Sequence, residues 1–215
     1  MSDQAQQPTG SLPPRWEVID ESLLRYTYDA DQAIYPAPRL TYDRLRSWVD
    51  SCPEVCVVLR RRGLGARDDS QPQVSSSSAV SPSVFGTIIV LPLLSEFWAR
   101  LVAEEQTETV TKPGGASLQE HDIDPRKMFP PSDCALGDEK AEVGLHVFHI
   151  ERFPGFKMWE GRRLGFTQLA LEEIRGRVDS RFPSWTVMGY SGMYWRQQHH
   201  LLFLVPSPSP SPVPL

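Results

Sequence analysis

The sequence predicts an α+β domain of three-layer-like character, with helices flanking a central sheet. Two observations predict it. Strand-forming runs alternate with stretches of helical spacing from Trp16 to Tyr190. Residues 141–190 then read strand, loop, helix, strand, which suits a parallel pair joined by a crossover helix. The size agrees, because 215 residues with 40% hydrophobic content supply one core and hardly two domains.

Residues 1–14 are polar and are read as a disordered leader without the apolar stretch of a signal peptide. A single domain is expected over 15–195. Trp16–Ile19 and Leu23–Tyr28 carry strand-forming residues. Thr41–Val49 has helical spacing at Tyr42, Leu45, Trp48 and Val49, with Thr41 placed to cap it and Pro53 closing it. Val55–Arg60 runs apolar without alternation, the mark of a strand buried on both faces. Residues 61–82 are a low-complexity loop insertion. Val84–Leu91 is the next strand, limited by Pro92, and Leu93–Glu105 is helical.

Residues 106–140 are polar and rich in Gly and Pro, and are expected to form a structureless surface insertion, a candidate lid. Ala141–Phe153 is the clearest strand. Simple alternation sends Val143, Leu145, Val147 and His149 one way, and Gly144, His146, Phe148 and Ile150 the other. Phe166–Val178 is the clearest helix, with an apolar stripe of Phe166, Leu169, Ala170, Ile174 and Val178. Trp185–Tyr190 is the last strand. Residues 196–215 form an atypical Ser/Pro-rich tail, whose prolines cannot continue a sheet.

The net charge of −5 provides no broad basic field, so nucleic acid is not an expected partner. Three cysteines, Cys52, Cys56 and Cys134, read as reduced thiols. No run reaches the roughly 20 apolar residues of a membrane span, so no membrane partner is expected. These features place the expected location in the cytoplasm, with the nucleus as a second compartment.

A local positive cluster stands out against that acidic background. Arg152, Lys157, Arg162 and Arg163 surround Glu160 alone, just before the clearest helix. Arg162-Arg163-Leu164-Gly165-Phe166-Thr167 lies at the junction of loop and helix. A helix N-terminus after glycine offers bare N–H groups and a field that favours anions. Arginines can fork onto phosphate oxygens. The plain alternative is a solvated basic loop whose glycine only starts the helix.

Arg162-x-x-Gly165-x-Thr167, after a strong strand and before an amphipathic helix, resembles the Gln/Arg-x-x-Gly-x-Gly/Ala motif of the GNAT (acyl-CoA N-acyltransferase) superfamily. Thr167 departs from the usual small last residue. The resemblance covers roughly residues 16–194, with its specific part in 141–190. It implies a mixed, largely antiparallel central sheet of acyl-CoA N-acyltransferase type. It also implies that the strands on either side of the motif helix splay apart. The pantetheine arm of acetyl-CoA, the acyl-donor co-substrate, would then pair with His149, Ile150 and Glu151. Arg152, Arg162, Arg163, Leu164, Gly165, Phe166 and Thr167 complete the expected cofactor-binding set.

The implied reaction is acetyl transfer to an amine by direct attack on the thioester, the acceptor being a small-molecule or protein amine. Such chemistry needs a base and a proton donor for the departing thiolate. Glu142 is the base candidate, against a plain solvent-facing carboxylate, and His146 is a second candidate for proton transfer. Tyr190, with Tyr194 nearby, is the candidate acid. The family's helix and two strands after this point are replaced by the Ser-Pro run, so the C-terminal end is expected to be altered, as by a changed splice junction. A second reading follows from that end: a catalytically impaired GNAT-like module that binds CoA or a protein. A third is an unrelated α+β domain with a fortuitous basic loop. No metal is expected. Cys52-x-x-x-Cys56 lacks a neighbouring pair, and His146 and His149 are expected on opposite faces.

Overall fold

A computed structural model describes residues 13–32, 40–61, 83–105, 118–131, 140–158, 164–192 and 203–204. Most of the expected leader, the 61–82 loop, Cys134, Arg162, Arg163, Tyr194 and nearly all of the tail lie outside the described residues. The elements in order are β1 (Arg15–Val18), α1 (Glu21–Gln32), α2 (Tyr42–Ser51), β2 (Cys56–Arg60), β3 (Val84–Leu94) and α3 (Ser95–Glu105). There follow α4 (Pro125–Met128), β4 (Ala141–Arg152), α5 (Phe166–Arg181), β5 (Trp185–Gly192) and β6 (Phe203–Leu204). The strands form one sheet in sequence order. Every neighbouring pair is antiparallel except β4 and β5, which run parallel. The expected α+β class, with a mixed, largely antiparallel sheet and flanking helices, is therefore the class found.

Leu23–Tyr28 forms part of a helix, not the expected strand. Asp20 accepts from the Leu23 N–H through Oδ1 at 2.9 Å and from the Leu24 N–H through its carbonyl at 2.9 Å. That start, with Leu23, Leu24, Thr27 and Asp31 buried along one side, outweighs the β preference of Tyr26-Thr27-Tyr28. Thr41 caps α2 as expected, accepting from the Arg44 N–H at 3.3 Å.

Pro92 does not end β3, which continues to Leu94. Cys56 Sγ donates to the Val90 carbonyl at 3.8 Å, so Val90 faces β2. Pro92, two residues on, turns its missing N–H to the same side, beyond the last β2 partner at Ile89. Its other side still pairs with β4 at Leu145.

Helices pack on both faces of the sheet. The Gly144 position in β4 lies under the Trp98 indole of α3, and Phe148 meets Trp48 of α2 edge-on at 5.1 Å. On the other face, Phe166 of α5 covers Gly86 of β3, which pairs with Arg152. The segment expected to be a structureless surface insertion is ordered over 118–131. Leu118, Ile123 and Phe129 are buried, and the Ile123 carbonyl accepts from Trp48 Nε1 at 2.9 Å and Arg44 Nη1 at 3.3 Å. Its apolar residues are too few and unevenly spaced to show a period.

Candidate functional site

The parallel pair is described as far as Gly192 of β5. β4 and β5 pair from Ala141↔Trp185 to Val147↔Gly192, while β4 runs on to Arg152. Among the described residues, Phe148 to Arg152 therefore have a strand neighbour only on the β3 side. A bulge follows the last described pair. Val90 pairs with Val147 and Ile89 with His149, leaving Phe148 as the extra residue. A separate irregularity leaves Met188 as an extra residue in β5, opposite the step from Val143 to Gly144.

The bulge overturns the simple alternation expected for β4. His146 pairs with Leu91 and His149 with Ile89, two residues apart on unbulged β3, so both histidines share one face. That is the face of α1, α2 and the 118–131 segment. Ile150 and Arg152 lie on the α5 face.

At the far end of β4, Gly165 is the N-cap of α5 with φ −67° and ψ 157°, and no side chain among the described residues caps the helix. A Cβ at Gly165 would meet nothing within 4 Å. The first-turn N–H groups have no intrahelical acceptor, and that turn holds no acidic residue. Phe166 is buried against Trp16 and Phe156, at ring distances of 5.9 and 5.4 Å, which anchors the helix start. Thr167 is exposed, Leu164 half-buried and Arg152 exposed.

His146 is fully buried inside a polar chain. Its Nε2 lies 2.6 Å from Glu120 Oε1, and its Nδ1 lies 3.1 Å from Ser191 Oγ. Trp98 Nε1 donates to the same Ser191 oxygen at 2.9 Å. One arrangement of protons satisfies every member: Trp98 N–H to Ser191, Ser191 O–H to Nδ1, and Nε2–H to Glu120. The chain ties α3, β5, β4 and the 118–131 segment together. Neither of the other two expected catalytic residues joins it. Glu142 is exposed near the start of β4. Tyr190 pairs with Leu145 and faces α5, where burial is the main cause that raises its hydroxyl pKa, opposed by Arg175 and reinforced by Asp179.

His149 has a different setting. Its Nδ1 lies 3.3 Å from Asp31 Oδ1 of α1, and its Nε2 lies 3.5 Å from Glu151 Oε2. Burial opposes the imidazolium. The Asp31 and Glu151 carboxylates outweigh it and push the pKa up to about 9. His149 and Glu151 were expected to act through their backbones alone, and their side chains form this second cluster. Glu120, Ser191, Trp98 and Asp31 were not expected at either site. Each joins through a contact distant in sequence, which no local pattern displays. No family model, curated protein or solved structure matches this chain.

Proposed function

We propose that the chain is an acyl-CoA-dependent N-acyltransferase of the GNAT type, moving an acetyl group from acetyl-CoA to an amine. One observation carries the reading: a parallel β4–β5 pair inside an otherwise antiparallel sheet, whose last pair among the described residues, Val147↔Gly192, stands at a β4 bulge while β4 continues to Arg152. His149, Ile150 and Glu151 lie in that continuation and are suited to hold a pantetheine arm through backbone N–H and C=O groups. The uncapped start of α5 at Gly165 supports it as the diphosphate seat, because its N–H groups and dipole favour an anion. Arg162 and Arg163 would add charge there.

Acetyl-CoA supplies the thioester; the amine nitrogen gains a bond to its carbonyl carbon, the C–S bond breaks, and the proton lost by nitrogen balances the one taken up by sulfur. The chain's own part is to hold the two substrates and orient the nitrogen toward the thioester carbonyl. Glu142 stands seven residues before His149, roughly 23 Å along an extended strand, which counts against it as the base. His146 is enclosed, and its support for the reaction is positional: it fixes Glu120 and Ser191 beside the bulge. Tyr190, on the α5 face, has no contact with that chain among the described residues.

A second reading, a CoA-binding or protein-interaction module without turnover, draws on the short β6. Among the described residues it pairs with Gly189 and Tyr190. Two measurements separate the readings. Acetyl-CoA at about 100 times its Kd adds roughly 2.7 kcal/mol of stability and raises Tm by several degrees under either. Thiol release with a panel of amines follows only under transfer. Replacing Arg162 and Gly165 together with alanine abolishes the thermal shift while the fold persists. An unchanged shift in that variant, or none in the native chain, overturns the proposal.

A further inference from the structure

Four buried polar atoms lie along α1 and the free end of β4 without a hydrogen-bond partner among the described residues: Thr27 Oγ1, Asp31 Oδ2, His149 Nε2 and Glu151 Oε2. Burial without a partner is unfavourable, so several such atoms together call for a partner, such as an ion or a water, or for a functional role. Thr27 is completely buried and Asp31 is 7% exposed. They stand four residues apart on α1, hence one above the other on the same face. Asp31 turns Oδ1 to His149 and has no partner for Oδ2 among the described residues. Tyr26, edge-on to Phe153, is the further titratable group here: burial raises its hydroxyl pKa and the Glu151 carboxylate adds to the rise.

The charge is also incomplete. With the imidazolium of His149, two carboxylates leave the cluster one negative charge in excess. One more cation would balance it, and the two free oxygens on α1 require that cation to carry hydrogen-bond donors. No trio of His, Cys, Asp and Glu among the described residues has the spacing to hold a metal ion. A primary ammonium fits, having three N–H donors and a single charge.

We propose that Thr27, Asp31, His149 and Glu151 seat the ammonium group of an aliphatic amine, with Thr27 Oγ1 and Asp31 Oδ2 accepting its N–H bonds. As the acceptor seat, this rests on the transfer reading above; as an ammonium site, it rests on Thr27 Oγ1 and Asp31 Oδ2 and on the charge of the cluster, since His149 Nε2 and Glu151 Oε2 face each other at 3.5 Å. The seat adjoins the stretch of β4 assigned to the pantetheine arm. It selects amines that arrive protonated, each of which releases one proton to solvent before attack, the proton lost on bond formation being the one sulfur takes up, and so discriminates against arylamines, which are uncharged at neutral pH. An alkylamine and a lysine side chain share this chemistry.

The test is an NMR titration of the full chain, following the His149 ring signal, assigned by its loss in His149→Gln. The probes are n-butylamine hydrochloride and n-butanol. The amine shifts the signal saturably and moves the His149 titration midpoint downward, because a second cation beside Asp31 disfavours the imidazolium; the alcohol does neither. Asp31→Asn weakens the amine response roughly tenfold or more, and Thr27→Val weakens it several-fold. If Asp31→Asn does not fold, Thr27→Val alone decides. Equal responses to both probes, no saturable response, an unchanged response in folded Thr27→Val, or stronger binding of MgCl2 or ZnCl2 at the same signal would each overturn the seat. N-acetyl-lysine amide in place of butylamine tells whether a lysine side chain also enters; binding of either supports the site. Amine binding without an acetyl-CoA thermal shift removes the transfer reading and keeps the seat. A thermal shift without amine binding does the reverse.

Discussion

His149 holds three opposing effects in one side chain. Burial favours the neutral ring, while Asp31 at 3.3 Å and Glu151 at 3.5 Å favour the charged one and prevail, pushing the pKa up to about 9 from 6.5. A proton bound more tightly in the folded state stabilises that state wherever the proton is present in it. The contribution is complete below about pH 6.5 and is lost as pH rises through about 9. Unfolding free energy should therefore fall across that window by up to about 3 kcal/mol. His149→Gln should flatten the slope. Urea midpoints at about pH 6, 7.5 and 9 for both proteins check this. Little of the setting is legible in the sequence. Val147-Phe148-His149-Ile150 alternates like any strand, and the extra residue exists only relative to β3. Asp31 reads as a surface residue until α1 is folded against the sheet.

At the scale of elements, periodicity and caps carry most of the information. Thr41 and its apolar spacing give α2, the unbroken Val-Cys-Val-Val-Leu run gives β2, and the stripe from Phe166 to Val178 gives α5. α1 escapes because Tyr26-Thr27-Tyr28 favours strands locally, while the deciding signal, Asp20 as cap, lies several residues earlier. The 118–131 segment escapes because its three buried anchors obey no period. Two glycines of opposite meaning test how these elements pack. A Cβ on Gly144 would overlap the Trp98 indole, and the ring is itself tied to Ser191. Gly144→Ala should cost about 1–3 kcal/mol through overpacking. Gly176 lies exposed within α5 with open space around it. Gly176→Ala should add about 0.5–1 kcal/mol through helix propensity. Chemical denaturation of the two variants reads both signs at once.

For the whole molecule, the core runs without a break from α2 through the sheet to α5, and two of its members are thiols. Cys56 is fully buried in β2, and Cys52 is 4% exposed at the end of α2. Burial, reinforced by neighbouring charge, pushes the Cys52 pKa up to about 12 and that of Cys56 higher still. A thiol that is both covered and protonated reacts only after the fold opens. Both therefore report opening of the core. Given an opening free energy of about 5 kcal/mol or more, alkylation of Cys56 in the native chain should run at least about a thousandfold slower than that of a free thiol. If the acyl-CoA reading is correct, acetyl-CoA at about 100 times its Kd should slow labelling a further hundredfold or so, because it binds only the closed form. Peptide mass spectrometry after timed iodoacetamide exposure gives each rate separately. Equal protection of Cys52 and Cys56 would show that α2 and the sheet open as one unit. Fast labelling of Cys52 with slow labelling of Cys56 would show α2 leaving first and taking with it the Trp48 contacts to Phe148 and Ile123 that brace the bulge.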